Sequence, residues 1–201
     1  MWSSSLSDAV LRGLPDIEYL DIRYRIKNVH EMMEFTLKPI IFDADTGGNI
    51  EHFKKNIRMM EHIGIEAVII EDKSGLKKNS LFGNKVKQTL EDCDVFAKKV
   101  AEGKKALVHN KLMIFARIES LIVGMTIEHA LLRAKKYVHA GADGIMIHSC
   151  QTDADEIIEF AYHFRILFPN IPLICIPTTY AHVHSSLLFE AGLILSYTLI
   201  T

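Results

Sequence analysis

Several apolar runs along the chain stop abruptly at charged or titratable residues. Ile40-Ile41-Phe42 gives way to Asp43 and Asp45 ahead of Gly47-Gly48, and Ala67-Val68-Ile69-Ile70 to Glu71-Asp72-Lys73. Leu112 through Ala116 ends at Arg117 and Glu119, and Gly144-Ile145-Met146-Ile147 ends at His148. Short, nearly continuous apolar runs of this kind are the pattern of strands buried on both faces. Between them the spacing turns helical. Ile50, Phe53, Ile57, Met60 and Ile63 form one stripe, Lys54, Lys55 and Arg58 lie on the solvated side, and Gly64 is the stop. The alternation predicts a helix near 90–102, a strand at 112–117, a helix over 126–140 and a strand at 144–148. It continues with a helix over 153–167, a strand at 172–177, a short helix near 184–191 and a strand at 193–198.

Two stretches do not fit the alternation. Residues 1–16 are small and polar and end in Arg12-Gly13-Leu14-Pro15-Asp16, which reads as turn chemistry. Asp16 is placed to cap a helix running from Ile17 toward Phe35. The second stretch, from Lys73 to Asn84, is a long polar loop with two glycines and several lysines. Loops of that length in compact domains are functional or disordered, and this composition suits a lid over an anion.

Regular strand-helix alternation means an α/β fold with a parallel sheet covered on both faces. A (β/α)8 TIM-type barrel and an open doubly wound sheet both satisfy it. Charged ends on successive strands favour the barrel, because there they converge on one mouth. Only six whole strands can be counted, so the barrel reads as incomplete, a single partial domain spanning 1–201.

Composition narrows this little. A chain of 201 residues with 49% hydrophobic and 24% charged residues is an ordinary globular domain. A formal charge of -2 gives no reason to expect nucleic acid or an anionic membrane as partner. Cys93, Cys150 and Cys175 are far apart and read as reduced thiols without a disulfide framework. No signal peptide or bilayer-length apolar run is present, so a soluble, cytoplasmic protein is expected.

Asp43, Asp45 and Glu71 bring hard oxygen donors to neighbouring strand ends, with Asp16 a possible fourth. Such donors select Mg²⁺ or Mn²⁺; the alternative is a set of salt-bridged structural carboxylates. Arg117 and His148, on the next two strand ends, suit a phosphoryl or carboxylate group, or else an ion pair with Glu119 and a place on the rim. His182 and His184 form an HxH pair whose loop position reads as surface, and Gly141-Ala142-Asp143-Gly144 reads as a helix stop and turn.

Taken in order, Trp2-Ser3-Ser4-Ser5-Leu6, Asp43-Ala44-Asp45-Thr46-Gly47, Glu71-Asp72-Lys73 with Lys77-Lys78-Asn79-Ser80, Ala116 to Glu119, and Gly141 to Ser149 resemble the phosphoenolpyruvate mutase family of the isocitrate lyase superfamily. The resemblance runs from Trp2 to about Tyr180. It implies a (β/α)8 barrel, Mg²⁺, isomerisation between phosphoenolpyruvate and phosphonopyruvate at the start of phosphonate biosynthesis, and a homotetramer. By motif, Asp43 would bind the metal directly, with Asp45, Glu71 and Asp16 holding its water ligands. Ser4, Ser5 and Leu6 would line the substrate's carboxylate and phosphoryl pocket with Trp2 behind them. Lys77, Asn79 and Ser80 would belong to a gating loop, and Arg117 and His148 would grip the phosphoryl as it moves. Lys77-Lys78-Asn79-Ser80 stands where the superfamily's lyases carry a catalytic cysteine. Phosphonopyruvate hydrolase shares the carboxylates, Arg and His and is the alternative activity; an inactive, truncated remnant is the alternative of another class. The family would begin with a further strand-helix unit before Trp2 and continue past 201, and the run Leu193–Ile200 lacks the family's Asn-His.

Overall fold

The computed structural model describes residues 1–195. In chain order these hold β1 (Trp2–Ser3), α1 (Ser5–Val10), α2 (Ile22–Met33), β2 (Ile41–Asp43), α3 (Ile50–Ile63) and β3 (Ala67–Glu71). A short hairpin, β4 (Lys73–Ser74) with β5 (Thr89–Leu90), brackets a 3₁₀ turn at Ser80–Lys85. Then come α4 (Cys93–Ala106), β6 (Met113–Ile118), α5 (Ile127–His139), β7 (Gly144–Ile147), α6 (Asp155–Leu167), β8 (Leu173–Cys175), α7 (Ser185–Glu190) and β9 (Ile194–Leu195). The remainder of the strand expected at 193–198 lies outside the described residues.

The main sheet has seven strands in the order β1-β2-β3-β6-β7-β8-β9, every neighbouring pair parallel. The sequential strand order and intervening helices are those of a TIM-type barrel, present here as an arc, since no pairing joins β9 to β1 among the described residues. The six expected strands are all present, and the described residues add a short seventh, β1. Trp2 and Ser3 pair with Ile41 and Phe42, and a two-residue strand is too short to show any periodicity. The turn reading of 1–16 is corrected with it: Ser4 caps α1 by accepting from Ser7 N. Asp16 is not a helix cap either, because α2 starts later and Asp21 caps it through Arg23 N.

Side chains on the strands alternate between two apolar groups. Val68, Ile70, Ile114, Ala116, Ile145 and Ile147 pack outward against the helices. Ala67, Ile69, Phe115, Met146, Ile174 and Ile176 fill the inner face, with Trp2 and Ile41 beside them. The inner group is the floor beneath the strand ends. Gly144 is part of how it fits, because a Cβ there would lie 2.1 Å from the Phe115 ring. Gly64 ends α3 in the left-handed conformation at φ 90°, as its position after the apolar stripe predicts. None of the described helices is long and apolar enough to cross a membrane.

Candidate active site

The register places the C-terminal strand ends side by side, with Glu71 opposite Arg117 and Ile118 opposite Ile147. Chain direction is the same in every strand of the main sheet, so the residues that stop the apolar runs all emerge at one mouth. Beyond β2 the chain turns sharply through Asp45, which takes a left-handed conformation at φ 55°, one that Asp tolerates better than most residues. The turn is tied down by Asp45 N donating to Asp43 Oδ1 at 3.2 Å and by Glu71 N donating to Asp45 O at 2.7 Å. It thereby fixes the two aspartates against Glu71 on the next strand.

A cavity of roughly 110 Å³ opens at this mouth. Trp2, Ser4, Ser5, Leu6 and Asp16 line it from the N-terminal segment, and Asp43, Glu71, Arg117 and His148 from the strand ends. Lys77, Asn79, Ser80 and Leu81 line it from the loop, while Ile176 and Thr178 complete it beyond β8. Asp45 is buried behind this wall and reaches the cavity group through Lys77. The sequence thus locates most of the lining; Leu81, Ile176 and Thr178 carry no polar signature by which they could be picked out, apart from the Thr178 hydroxyl.

Two charge networks meet here. In the first, the Lys77 ammonium donates to Ser5 Oγ at 2.7 Å, to Asp16 Oδ1 at 2.6 Å and to Asp45 Oδ1. Arg25, buried under the mouth, donates to Asp45 Oδ2 at 3.1 Å and to Asp8 Oδ2 at 2.9 Å. Burial pushes the Asp45 carboxyl up to about 6, aided by the neighbouring Asp43 charge and opposed by Lys77 and Arg25. Asp43 goes the other way: burial raises it, but Lys77, Arg117 and Arg25 together hold it below the ordinary carboxylate value. Lys77 is held charged by Asp45 and Asp43 despite its own desolvation.

The second network centres on Glu119, which is fully buried. It accepts from Arg117 Nε at 2.5 Å and from Ser80 Oγ, and it faces His148 Nδ1 at 2.9 Å and the Lys73 ammonium at 3.3 Å. Burial would raise Glu119, yet Arg117 and His148 hold it well below the usual carboxylate range. Burial, with the Arg117 charge, lowers His148 and favours its neutral form. Glu71 is pushed up to about 7 by burial and by Glu119, against the pull of Arg117 and Lys73. Its Oε1 lies 3.3 Å from the Lys73 ammonium but accepts no hydrogen bond among the described residues. Ion-paired but without a hydrogen bond, that oxygen keeps unused acceptor capacity.

That oxygen and the all-oxygen donor set at the mouth fit a hard divalent cation. No three Asp, Glu, His or Cys side chains among the described residues are gathered tightly enough to grip one ion together. Arg117 pairs with Glu119, as one of its two readings expects, and it also faces the cavity. His182 and His184 are exposed, and His184 caps α7, as their loop position predicts. The three cysteines are free.

The family described as phosphoenolpyruvate phosphomutase is matched over residues 1–194. Phosphoenolpyruvate phosphomutase of Tetrahymena pyriformis is 32% identical over 181 residues, which cover 90% of this chain and 59% of that protein. Phosphonopyruvate hydrolase of Variovorax sp. is 30% identical over 181 residues, 90% of this chain and 61% of that one. The chain therefore spans about three fifths of the length of these curated relatives. Among solved structures, phosphoenolpyruvate phosphomutase from Streptomyces platensis subsp. rosaceus superposes with a TM-score of 0.91 at 31% identity, over 98% of this chain and 67% of that one. A phosphonopyruvate hydrolase solved with oxalate and magnesium gives 0.84 at 26% identity, over the same shares.

Proposed function

Because the chain belongs to the phosphoenolpyruvate phosphomutase family, we propose that its mouth interconverts phosphoenolpyruvate and phosphonopyruvate with the help of Mg²⁺ or Mn²⁺. The observation that carries this reading is the convergence of Lys77, Asn79 and Ser80 from the loop with Arg117 and His148 from the strand ends on one cavity. In the forward direction the bond from phosphorus to the enol oxygen breaks and one from phosphorus to the methylene carbon forms. Charge on the phosphoryl oxygens is spread in a loose transition state, so positioning and electrostatics do most of the work. Arg117 presents its fork to those oxygens, and His148 and Asn79 add polar contacts from either side. Ser4, Ser5 and Leu6 hold the carboxylate end against Trp2. Asp43 would hold the cation directly and Asp45, Glu71 and Asp16 would hold its water; when bound, the cation supplies positive charge for the 2-oxo carboxylate and the enolate oxygen. The segment carrying Lys77, Asn79 and Ser80 borders the mouth, and a tighter seat of it over bound substrate would keep water from the transferring group and favour transfer to carbon.

Hydrolysis of phosphonopyruvate is the second reading, favoured by the similarity to the Variovorax enzyme. Phosphorus NMR of the purified protein with phosphonopyruvate and Mg²⁺ separates the two. A phosphoenolpyruvate resonance is expected. Inorganic phosphate with pyruvate would replace the mutase by the hydrolase, and no conversion by folded protein would remove both.

The raised carboxyls give a pH test of the metal assignment. A protonated carboxyl is a poor ligand, so protons compete with the cation below about 7 at Glu71 and below about 6 at Asp45. Mg²⁺ affinity, measured by titration calorimetry, is expected to be level above pH 7 and to weaken by about tenfold or more on going to pH 5. An affinity independent of pH across that range would exclude these two groups from the metal's surroundings.

A further inference from the structure

Glu119 sits two residues beyond Arg117 on the same strand end, with no exposed surface. One carboxylate there collects four groups from three parts of the chain. Arg117 Nε and His148 Nδ1 come from the strand ends, Ser80 Oγ from the lid, and the Lys73 ammonium from the foot of the lid. Ser80 Oγ in turn receives Arg117 Nη2 at 2.8 Å and the Lys73 ammonium at 2.7 Å, so the lid contact and the strand-end contacts close a ring. Lys73 also donates to Lys78 O at 2.9 Å, inside the lid.

The position of Glu119 is itself fixed from below. Its backbone N donates to Asp72 Oδ1 at 2.9 Å, and Asp72 Oδ2 accepts from Arg133 Nε at 2.5 Å and Tyr137 OH at 2.8 Å. A buried ionised carboxylate that receives this many donors is rigid, and losing any one of them leaves a costly vacancy.

We infer that Glu119 is a positioning residue that couples the lid to the phosphoryl-binding pair, so that seating Ser80 and orienting Arg117 and His148 are one event. It also selects the imidazole tautomer. His148 Nδ1 lies 2.9 Å from both Glu119 Oε1 and Arg117 Nη2, and a single ring nitrogen cannot satisfy an acceptor and a donor together. Arg117 Nη2 already has Ser80 as its acceptor, whereas a carboxylate facing a ring lone pair would be repelled. The proton therefore lies on Nδ1, between His148 and Glu119, and Nε2 is left to serve the cavity. The inference rests on the phosphoryl-transfer reading for what the lid closes over, but its test needs no substrate.

Three proteins are compared without ligand: the unaltered chain, Glu119→Gln and Ser80→Ala. Hydrogen exchange followed by mass spectrometry is expected to run about 10- to 100-fold faster over residues 74–88 in both variants, the effect of losing a hydrogen bond to a charged group, with no change over β3 and β6. Nitrogen NMR is expected to find the His148 proton on Nδ1 in the unaltered chain and in Ser80→Ala, and to find that signature altered in Glu119→Gln. Unchanged lid exchange in Ser80→Ala, or a proton on Nε2 in the unaltered chain, would overturn the proposal. Both of these readings stand even where Glu119→Gln does not fold. If the lid and tautomer results hold while neither mutase nor hydrolase turnover is found, the coupling survives and the functional reading falls.

Discussion

Asp43→Ala is expected to lower turnover of phosphonopyruvate by about a thousandfold or more, the scale of removing a central electrostatic element from a charge-stabilising site. Two features of the mouth make the substitution informative. Asp43 lines the cavity and raises the carboxyl of its neighbour Asp45, so deleting it relieves a like-charge repulsion. What the fold loses is the bond from Ser5 Oγ at 3.1 Å, the one from Asp45 N, and the attraction of Lys77, Arg117 and Arg25 that keeps Asp43 ionised. Relief of the repulsion offsets part of that loss, so thermal unfolding should find the variant folded while the rate collapses. A variant that keeps turnover within a few-fold of the parent chain would show that the cation, or the chemistry, sits elsewhere.

The second large effect is expected at Arg117, where charge and geometry can be separated. Arg117→Lys keeps a cation between Glu71 and Glu119 but loses the planar fork that reaches Glu119 through Nε and Ser80 through Nη2. Its kcat is expected to fall by about a hundredfold with the fold retained, because an ammonium cannot reproduce the two-pronged contact. Arg117→Ala should behave differently. It takes away one of the two cations that the buried Glu71 and Glu119 share and leaves them to Lys73 alone, a defect of the kind that costs about 3–5 kcal/mol when one partner of a buried pair is removed. Steady-state kinetics on the Lys variant and thermal unfolding of both variants check this. A Lys variant as fast as the parent would mean that Arg117 acts only as a counter-ion.

The parts of this molecule that could be read from its sequence are those in which one local pattern decides the outcome. The runs ending at Asp43, Glu71, Arg117 and His148 became adjacent parallel strands whose ends share a mouth, because the same polar stop in each run implies the same end of each strand. The stripe from Ile50 to Ile63 and its Gly64 stop became α3. What escaped was set by distance in the chain. Glu119 looked like a counter-ion for Arg117, and nothing near it in sequence reveals Ser80, Lys73 or His148 as its other partners. The ion pair between Asp72 and Arg133 joins residues sixty-one positions apart. Asp16 misled for the opposite reason. It stands where a helix cap would be plausible, but the chain continues through a turn to Asp21, leaving Asp16 free to meet Lys77. The roles given to Ser4, Asn79 and Leu6 came from motif resemblance alone, since small polar and apolar side chains declare no chemistry of their own.

The short hairpin at the foot of the lid has a bearing on how this fold can diversify. Lys73 pairs with Leu90 and Ser74 with Thr89, so the covering segment leaves and re-enters the barrel at one fastened point. Loop-closure entropy grows only with the logarithm of length, about 0.6 kcal/mol for each doubling. With both ends pinned, residues can be added or removed between the rungs at small thermodynamic expense, provided that Lys77 and Ser80 still reach Asp45 and Glu119. The segment is thus the natural place for relatives to differ in length and in what they admit, while the barrel beneath them stays the same.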